Sequence, residues 1–505
     1  MSAPSPDPRS QLPEFLHLLT ANEAPTTLEQ TTLRSLLEDY QLRADCLNAE
    51  IDHLEASLGY LKAERDRVQA ALVGVQTALS PVRQLPAELI AEIFLWVLKG
   101  YRPERRTRAP WHLGHVCRAW RNIALTLPRL WSKIVVYVAS NPGDVTALGL
   151  REQQIEEQLA RSQQFALSVE IIWSTPVLHL FDASARLVGL VAEHCERWRS
   201  LSLSPTSDLE TLLAILEPVQ NRLPNLEKLE YQYREQTRAG MRSDLFRHAP
   251  KLSKLRYMAR DSVLHIPWPQ IRHCYLQRRF RDLLAAHNLV NLDLGMVDET
   301  LQLAPGQFII LPNLLHLHSR FAWAMRSFTT PILQSLQLGL ALNLDEIPQF
   351  LRRSACPLTA LMIQQEDQGD AIDMDDVVKI LRCVPSLTLF IVDISPAILA
   401  PVPDGVEHDL PTLDTLFSAL TVTGTLADIV PNLSTFIYAL PYDPFATDSF
   451  LQMAASRETA SIGFCKRILR SRRDIVNGRN IKRMRREEVT MVVRNWFPVP
   501  RPWIR

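Results

Sequence analysis

Glycine is scarce in this 505-residue chain, at 16, and no glycine-rich phosphate cradle occurs, neither G-x-x-x-x-G-K-[ST] nor G-x-G-x-x-G. G-x-S-x-G and H-E-x-x-H are missing too, which removes the usual serine-hydrolase and zinc-protease readings. The seven cysteines (46, 117, 195, 274, 356, 383 and 465) are odd in number, scattered and never spaced C-x-x-C. That pattern excludes a disulfide scaffold and a paired zinc site, and predicts reduced thiols in an intracellular protein, cytoplasmic or nuclear. Charge of either sign is not in excess: 55 Lys and Arg balance 55 Asp and Glu, so the whole chain has no bias towards nucleic acid or anionic lipid. No uncharged apolar run is long enough to span a bilayer, and the polar, proline-rich start lacks a signal-peptide core. The expectation is a soluble non-enzyme with no cofactor and no metal.

Proline, by contrast, is frequent, at 34, which suggests many short elements punctuated by turns. Residues 1–25 read as a loose, disordered tail. Residues 26–80 read as one long helix, opened by a capping box of Thr26 and Glu29 and stopped by Pro81. Its apolar residues recur at alternating intervals of three and four: Leu33, Leu37, Tyr40, Ala44, Leu47, Ile51, Leu54, Leu58, Leu61, Val68, Leu72, Val75 and Leu79. This is a coiled-coil seam, broken once by Arg65. Two readings stay open, self-association and folding back on the same chain. Gly59 and Gly74 weaken a free-standing coil by about 1 kcal/mol each.

Residues 81–135 hold three short apolar helices. Leu89, Ile93 and Val97 form one stripe with Ile90 and Phe94 beside it. An arginine-rich loop with Lys99, Arg102, Arg105, Arg106 and Arg108 follows. A second helix is expected to place Leu113, Val116, Cys117, Trp120 and Ala124 on one face, and Pro128 opens a third element. So small a trio cannot hide this many large apolar groups, and surplus apolar surface marks an interaction site. The fragments "LPAELIAEIF", "VCRAWRNIAL" and "PRLW" together resemble an F-box in order, spacing and residue type, over residues 84–131 only. The resemblance implies docking to the Skp-type adaptor of a cullin–RING ubiquitin ligase. By matching positions, Leu85, Pro86, Leu89, Ile93, Val116, Cys117 and Trp120 would face the adaptor or support the face that does. The long basic loop departs from the family pattern. The plainer reading is a helical cap on the next domain.

Further on, one phrase recurs: "PNLEKLEY" at Pro224, "PKLSKLRY" at Pro250, "PQIRHCYL" at Pro269, "HNLVNLDL" at His287 and "PNLLHLHS" at Pro312. "PILQSLQL" at Pro331, "CPLTALMI" at Cys356, "PSLTLFIV" at Pro385, "PTLDTLFS" at Pro411 and "PNLSTFIY" at Pro431 continue it, and "ERWRSLSL" from Glu196 is an earlier, degraded copy. Each copy predicts a strand, a turn and a returning helix. The pattern resembles leucine-rich repeats, though the usual Asn or Cys after the strand is largely absent. The implied fold class is α/β: a long N-terminal helix, a small three-helix F-box, and an irregular solenoid over 136–465 with "LWSKIVVYV" as a first strand. Exposed strand positions (Glu227, Lys228, Glu230; Ser253, Lys254, Arg256; Arg272, His273, Tyr275) change from copy to copy, as recognition of one protein partner requires. His316 and His318 could share a strand face, a weak metal signal. Glu366 to Asp376 form an acidic run expected to be a solvated loop. Residues 466–505 carry thirteen Lys or Arg against three acids and read as a capping helix on the last repeats. A nuclear-import or nucleic-acid role for this tail, and a non-ligase scaffold, are the rival readings.

Overall fold

The structure, a computed structural model, describes residues 17–18, 24–100, 109–138, 145–174, 180–233, 241–259, 263–277, 281–295, 307–341, 344–365, 373–394, 414–425, 428–439, 448–457, 461–465 and 481–483. The chain divides into two compact units at Ile90.

The first unit is dominated by helix α1 (Thr27–Ala78), 52 residues long with no residue buried. The capping box forms: the Thr26 amide donates to Glu29 Oε2 at 2.8 Å, and the Glu29 amide donates to Thr26 Oγ1 at 3.4 Å. The Thr26 hydroxyl, donating to Glu29 Oε2 at 2.6 Å, and then the Thr26 amide hold the Glu29 carboxyl below its ordinary value. A 3-10 turn over Pro81–Gln84 follows, as the proline requires. Most of the expected loose tail lies outside the described residues.

The dividing point falls inside helix α2 (Ala87–Gly100). Helices α3 (Ala109–Gly114), α4 (Arg118–Leu125) and α5 (Pro128–Trp131) follow it in the second unit. The single helix expected across Leu113 to Ala124 is therefore two. Gly114 ends α3, its carbonyl accepts from Arg121 Nε at 2.9 Å, and Cys117 takes the N-cap of α4 with Sγ accepting from the Trp120 amide. Leu113 and Ala124 are buried while Val116 and Cys117, in the break, are exposed, so these residues do not share one face.

The rest is a parallel sheet of fourteen strands in chain order. It comprises β1 (Lys133–Val138), β2 (Leu167–Trp173), β3 (Trp198–Pro205), β4 (Lys228–Gln232), β5 (Lys254–Met258), β6 (His273–Gln277) and β7 (Asn291–Leu294). Then come β9 (His316–Phe321), β11 (Ser335–Ala341), β12 (Ala360–Gln365), β13 (Leu389–Ile394), β14 (Thr435–Ala439), β15 (Ser461–Cys465) and β16 (Ile481–Arg483). β8 (Ile309–Ile310) and β10 (Phe328–Thr329) pair separately. β1 and β16 lie at opposite edges, so the sheet is not a closed barrel.

Alternation explains the strands. One buried column runs from Ile134 through Leu229, Leu292 and Leu361 to Ile462, with every intervening strand contributing one apolar residue in register. Parallel strands need a crossover. Here α6 (Val145–Arg161), α7 (Phe181–Ala192) and α8 (Leu209–Ile215) return the chain early in the sheet. α9 (Glu346–Ser354), α10 (Met374–Leu381), α11 (Asp414–Leu420) and α12 (Asp448–Ser456) do so late. Between β5 and β7, among the described residues, 3-10 turns at Trp268–Gln270 and Arg281–Ala285 stand in place of the expected helices.

The asparagine missing after the strands stands before them. In the recurring phrase, Asn225, Asn288, Asn313 and Asn432 each donate Nδ2 to a carbonyl of the preceding copy: Glu196, Pro269, His287 and Pro385, at 2.9, 2.7, 3.0 and 3.3 Å. These bonds satisfy turn carbonyls that no strand partner reaches.

Three strand expectations need correction. "PTLDTLFS" yields α11, because β13 pairs directly with β14 and leaves no room between them. Phe417 of α11 instead packs on Phe436, Tyr438 and Phe450. β2 was not foreseen. Ile481–Arg483, expected within a helix, pairs with β15 as an edge strand; most of the basic tail lies outside the described residues. Among the described residues no helix is long and apolar enough to cross a membrane.

Candidate functional site

Two surfaces bear on function. Of the seven residues singled out by sequence, Leu85, Pro86 and Leu89 belong to the first unit and Ile93, Val116, Cys117 and Trp120 to the second. Leu85 is half-buried and Pro86 exposed; Leu89 is 51% exposed. In the second unit Ile93 is 41% and Val116 61% exposed, Cys117 is exposed, and Trp120 is half-buried.

Packing around the four in the second unit is firm. Phe94 is fully buried with its ring 5.0 Å from Trp120 in an edge-on contact. Trp131 is buried and donates Nε1 to the Ala124 carbonyl at 2.7 Å, tying α5 to α4. The Arg161 guanidinium of α6 lies 4.6 and 4.5 Å from the Trp111 and Trp131 ring centres, which joins this helical group to the start of the sheet. Thus, in the part of α2 that belongs to the second unit, Phe94 is buried while Ile93 is exposed. Trp96, 64% exposed, and Leu125 are further exposed apolar residues that the sequence reading left out. The spacing of three between Ile93 and Trp96 carried the signal. The basic loop from residue 101 to 108 lies outside the described residues.

The second surface is the face of the sheet opposite the continuous buried column. From β4 to β11 it is polar. Lys228 pairs with Glu230, and His318 Nδ1 lies 2.8 Å from Asp293 Oδ1. His316 Nδ1 lies 2.6 Å from Ser335 Oγ, and Arg256 lies 5.0 Å from the centre of the Tyr275 ring. Tyr275 reaches over Gly295, where any Cβ would sit 2.7 Å from the phenol oxygen, so glycine permits this approach. Burial pushes the His273 and His316 imidazoles below their ordinary values; Lys254 and Arg272 add to the effect on His273, and His273 adds to that on His316. Burial, helped by Asp293, raises the Tyr275 phenol. His316 and His318 do share this face, as their spacing predicts, each occupied by a protein partner. Among the described residues no group of three or more His, Cys, Asp or Glu could hold a metal ion.

Towards the C-terminal strands the same face turns apolar. Ala360, Met362, Leu389, Ile391 and Ile437 continue the polar rows in register, yet all are buried. Polar residues that change from strand to strand, expected at Lys228, Glu230, Lys254, Arg256, His273 and Tyr275, continue along this face only as far as β11. β12 and β13 read as unbroken apolar runs because both their faces are buried.

Residues 366–372, the first part of the acidic run, lie outside the described residues. Asp373 caps α10, its side chain accepting from the Asp375 amide at 2.9 Å. No family model matches the chain, and no curated protein matches it.

Proposed function

We propose that the chain is the substrate-recognition subunit of an SCF-type cullin–RING E3 ubiquitin ligase. In this reading the segment from Leu85 to Trp131 is an F-box that docks on a Skp-type adaptor. The parallel sheet is an irregular leucine-rich-repeat solenoid whose polar face, β4 to β11, holds a target protein. One observation carries the reading: Leu89, Ile93 and Val116 are exposed at positions that the F-box resemblance assigns to the adaptor contact. Exposed apolar side chains over a tightly packed layer suit a second polypeptide better than water. The chain-order sheet, with an asparagine bridging to the preceding copy at four of its turns, supports the repeat reading.

The chain would contribute no bond-making step. It would hold a target near the ligase's catalytic subunits, so that ubiquitin transfer gains from proximity and orientation. The polar face selects by differential contacts, because Glu230, Arg256, Tyr275, Asp293 and His318 differ from strand to strand at equivalent register.

The test is affinity purification of the full chain, wild type and Val116→Asp, followed by mass spectrometry. Adaptor and cullin should accompany the wild type and be depleted with the variant. Absence of both from the wild-type sample, with the chain folded, sinks the ligase reading.

A further inference from the structure

Helix α1 carries an apolar seam that the proposed ligase function does not use. We propose that α1 pairs with α1 of a second copy of this chain as an antiparallel two-stranded coiled coil, in the register that sets Ile51 opposite Leu54. This goes beyond the ligase reading and does not depend on it.

The helix is continuous over 52 residues and buries none of them. Along the seam Leu47, Leu54, Leu58 and Leu61 are each more than half exposed. A stripe of this kind is stable when a partner helix covers it. Numbered as a heptad, the d positions are Leu33, Tyr40, Leu47, Leu54, Leu61, Val68 and Val75, and the a positions include Ile51, Leu58 and Arg65. Arg65 is the one charged residue of the seam, and a single polar residue at an a position fixes register at some cost in stability.

The flanking residues decide orientation. In a parallel, in-register pair each g residue meets the e residue five positions on in the other chain. Glu50 would then face Glu55 twice over, while Arg43 meets Asn48, Ser57 meets Lys62 and Glu64 meets Gln69. No opposite charges meet, and like charges repel. In an antiparallel pair, a faces d and g faces g. The register with Ile51 opposite Leu54 sets Arg43 against Glu64 twice, and sets the one charged seam residue, Arg65, against the ring of Tyr40. Glu50 faces Ser57, and no like charges meet across either flank. A guanidinium over a phenol ring is a favourable contact where a guanidinium over leucine is not.

The antiparallel register one heptad away, which sets Leu33 against Leu79 just past the end of α1, is the strongest rival. It adds a seam layer, but sets Glu50 against Glu64, Glu55 against its own copy, and Arg65 against Leu47. An unpaired charge pressed into an apolar seam costs more than the extra layer returns. Nothing in the free helix obstructs the choice. Arg65 pairs with Asp66 and Glu64 with Arg67 at the surface, and such exposed pairs are worth at most about 1 kcal/mol.

The test uses the full chain with the exposed cysteines removed (Cys46→Ser and Cys117→Ser) and two differently tagged variants, Leu37→Cys and Val68→Cys. Sedimentation should show a dimer at micromolar concentration. On mixing under mild oxidation, residue 37 of one tag should cross-link to residue 68 of the other, identified by peptide mass spectrometry. Arg43→Glu should weaken the dimer about tenfold, and adding Glu64→Arg should restore it. A monomer overturns the proposal. Cross-linking of residue 37 to itself overturns the orientation. A double variant no tighter than the single overturns the register.

Discussion

Ile93→Asp separates docking from folding on the candidate adaptor surface. Ile93 keeps 41% of its surface in contact with water. Fully burying an isoleucine is worth about 1.5–3 kcal/mol, so covering the exposed part contributes about 1 kcal/mol to association. Aspartate loses that and sets a carboxylate against an apolar partner, at a desolvation cost of at least about 2 kcal/mol when no donor meets it. The sum of about 3 kcal/mol is a loss of affinity of about a hundredfold. On the folding side the substitution gives up only the half of the side chain already covered, about 1–2 kcal/mol, and Phe94 beside it stays fully buried. Titration calorimetry of purified variant and wild type against a recombinant Skp-type adaptor measures the first quantity. Urea unfolding measures the second. A folded Ile93→Asp chain that binds the adaptor with wild-type affinity would refute the assignment of this surface.

Further outcomes follow from the packing. Phe417→Ala removes a buried ring held between Phe436, Tyr438 and Phe450, and should lower unfolding free energy by about 3–5 kcal/mol; a loss below about 1 kcal/mol would mean that α11 does not cover these strands. Asn313→Ala strips the bond to the His287 carbonyl and should cost about 1 kcal/mol, read as an earlier urea midpoint at unchanged slope; an unshifted midpoint would count against the asparagine spacers. His273 and His316 have folded values below the unfolded one, so the unfolded chain binds more protons between the two. Their contribution to stability is intact above the unfolded value near 6.5, falls as pH drops through it, and levels off below the folded values. Urea midpoints from about pH 7.5 down to about 5 should decline, with His273→Gln and His316→Gln each flattening the slope; identical slopes in all three proteins would contradict the burial argument.

The strands were legible because their signal is local and repeated. Leu229 and Tyr231, or Leu255 and Tyr257, alternate with polar neighbours at a fixed distance from a turn residue. "PTLDTLFS" has the same letters, and only the direct pairing of Leu389 with Thr435 excludes it from the sheet. Such information is held by another strand, not by the segment itself. β2 escaped notice because no proline or asparagine announces it. At the candidate site, residue type and order gave the seven positions, but which were covered depended on the Gly114–Cys117 break. The sequence reading drew one helix there because the apolar spacing runs through it. The four asparagines stand in plain view in the recurring phrase, yet their partners lie nineteen to forty-seven residues away, beyond any local reading.

A sheet whose strands lie side by side in the order they are synthesised has a practical corollary. Each new strand finds its template already laid down by the one before, so the second unit can assemble progressively as it leaves the ribosome, without waiting for a distant segment. Among the described residues the same arrangement leaves the last strand, Ile481–Arg483, paired on one side only. Wear, by protease or by heat, should therefore start at that edge and move inward one strand at a time.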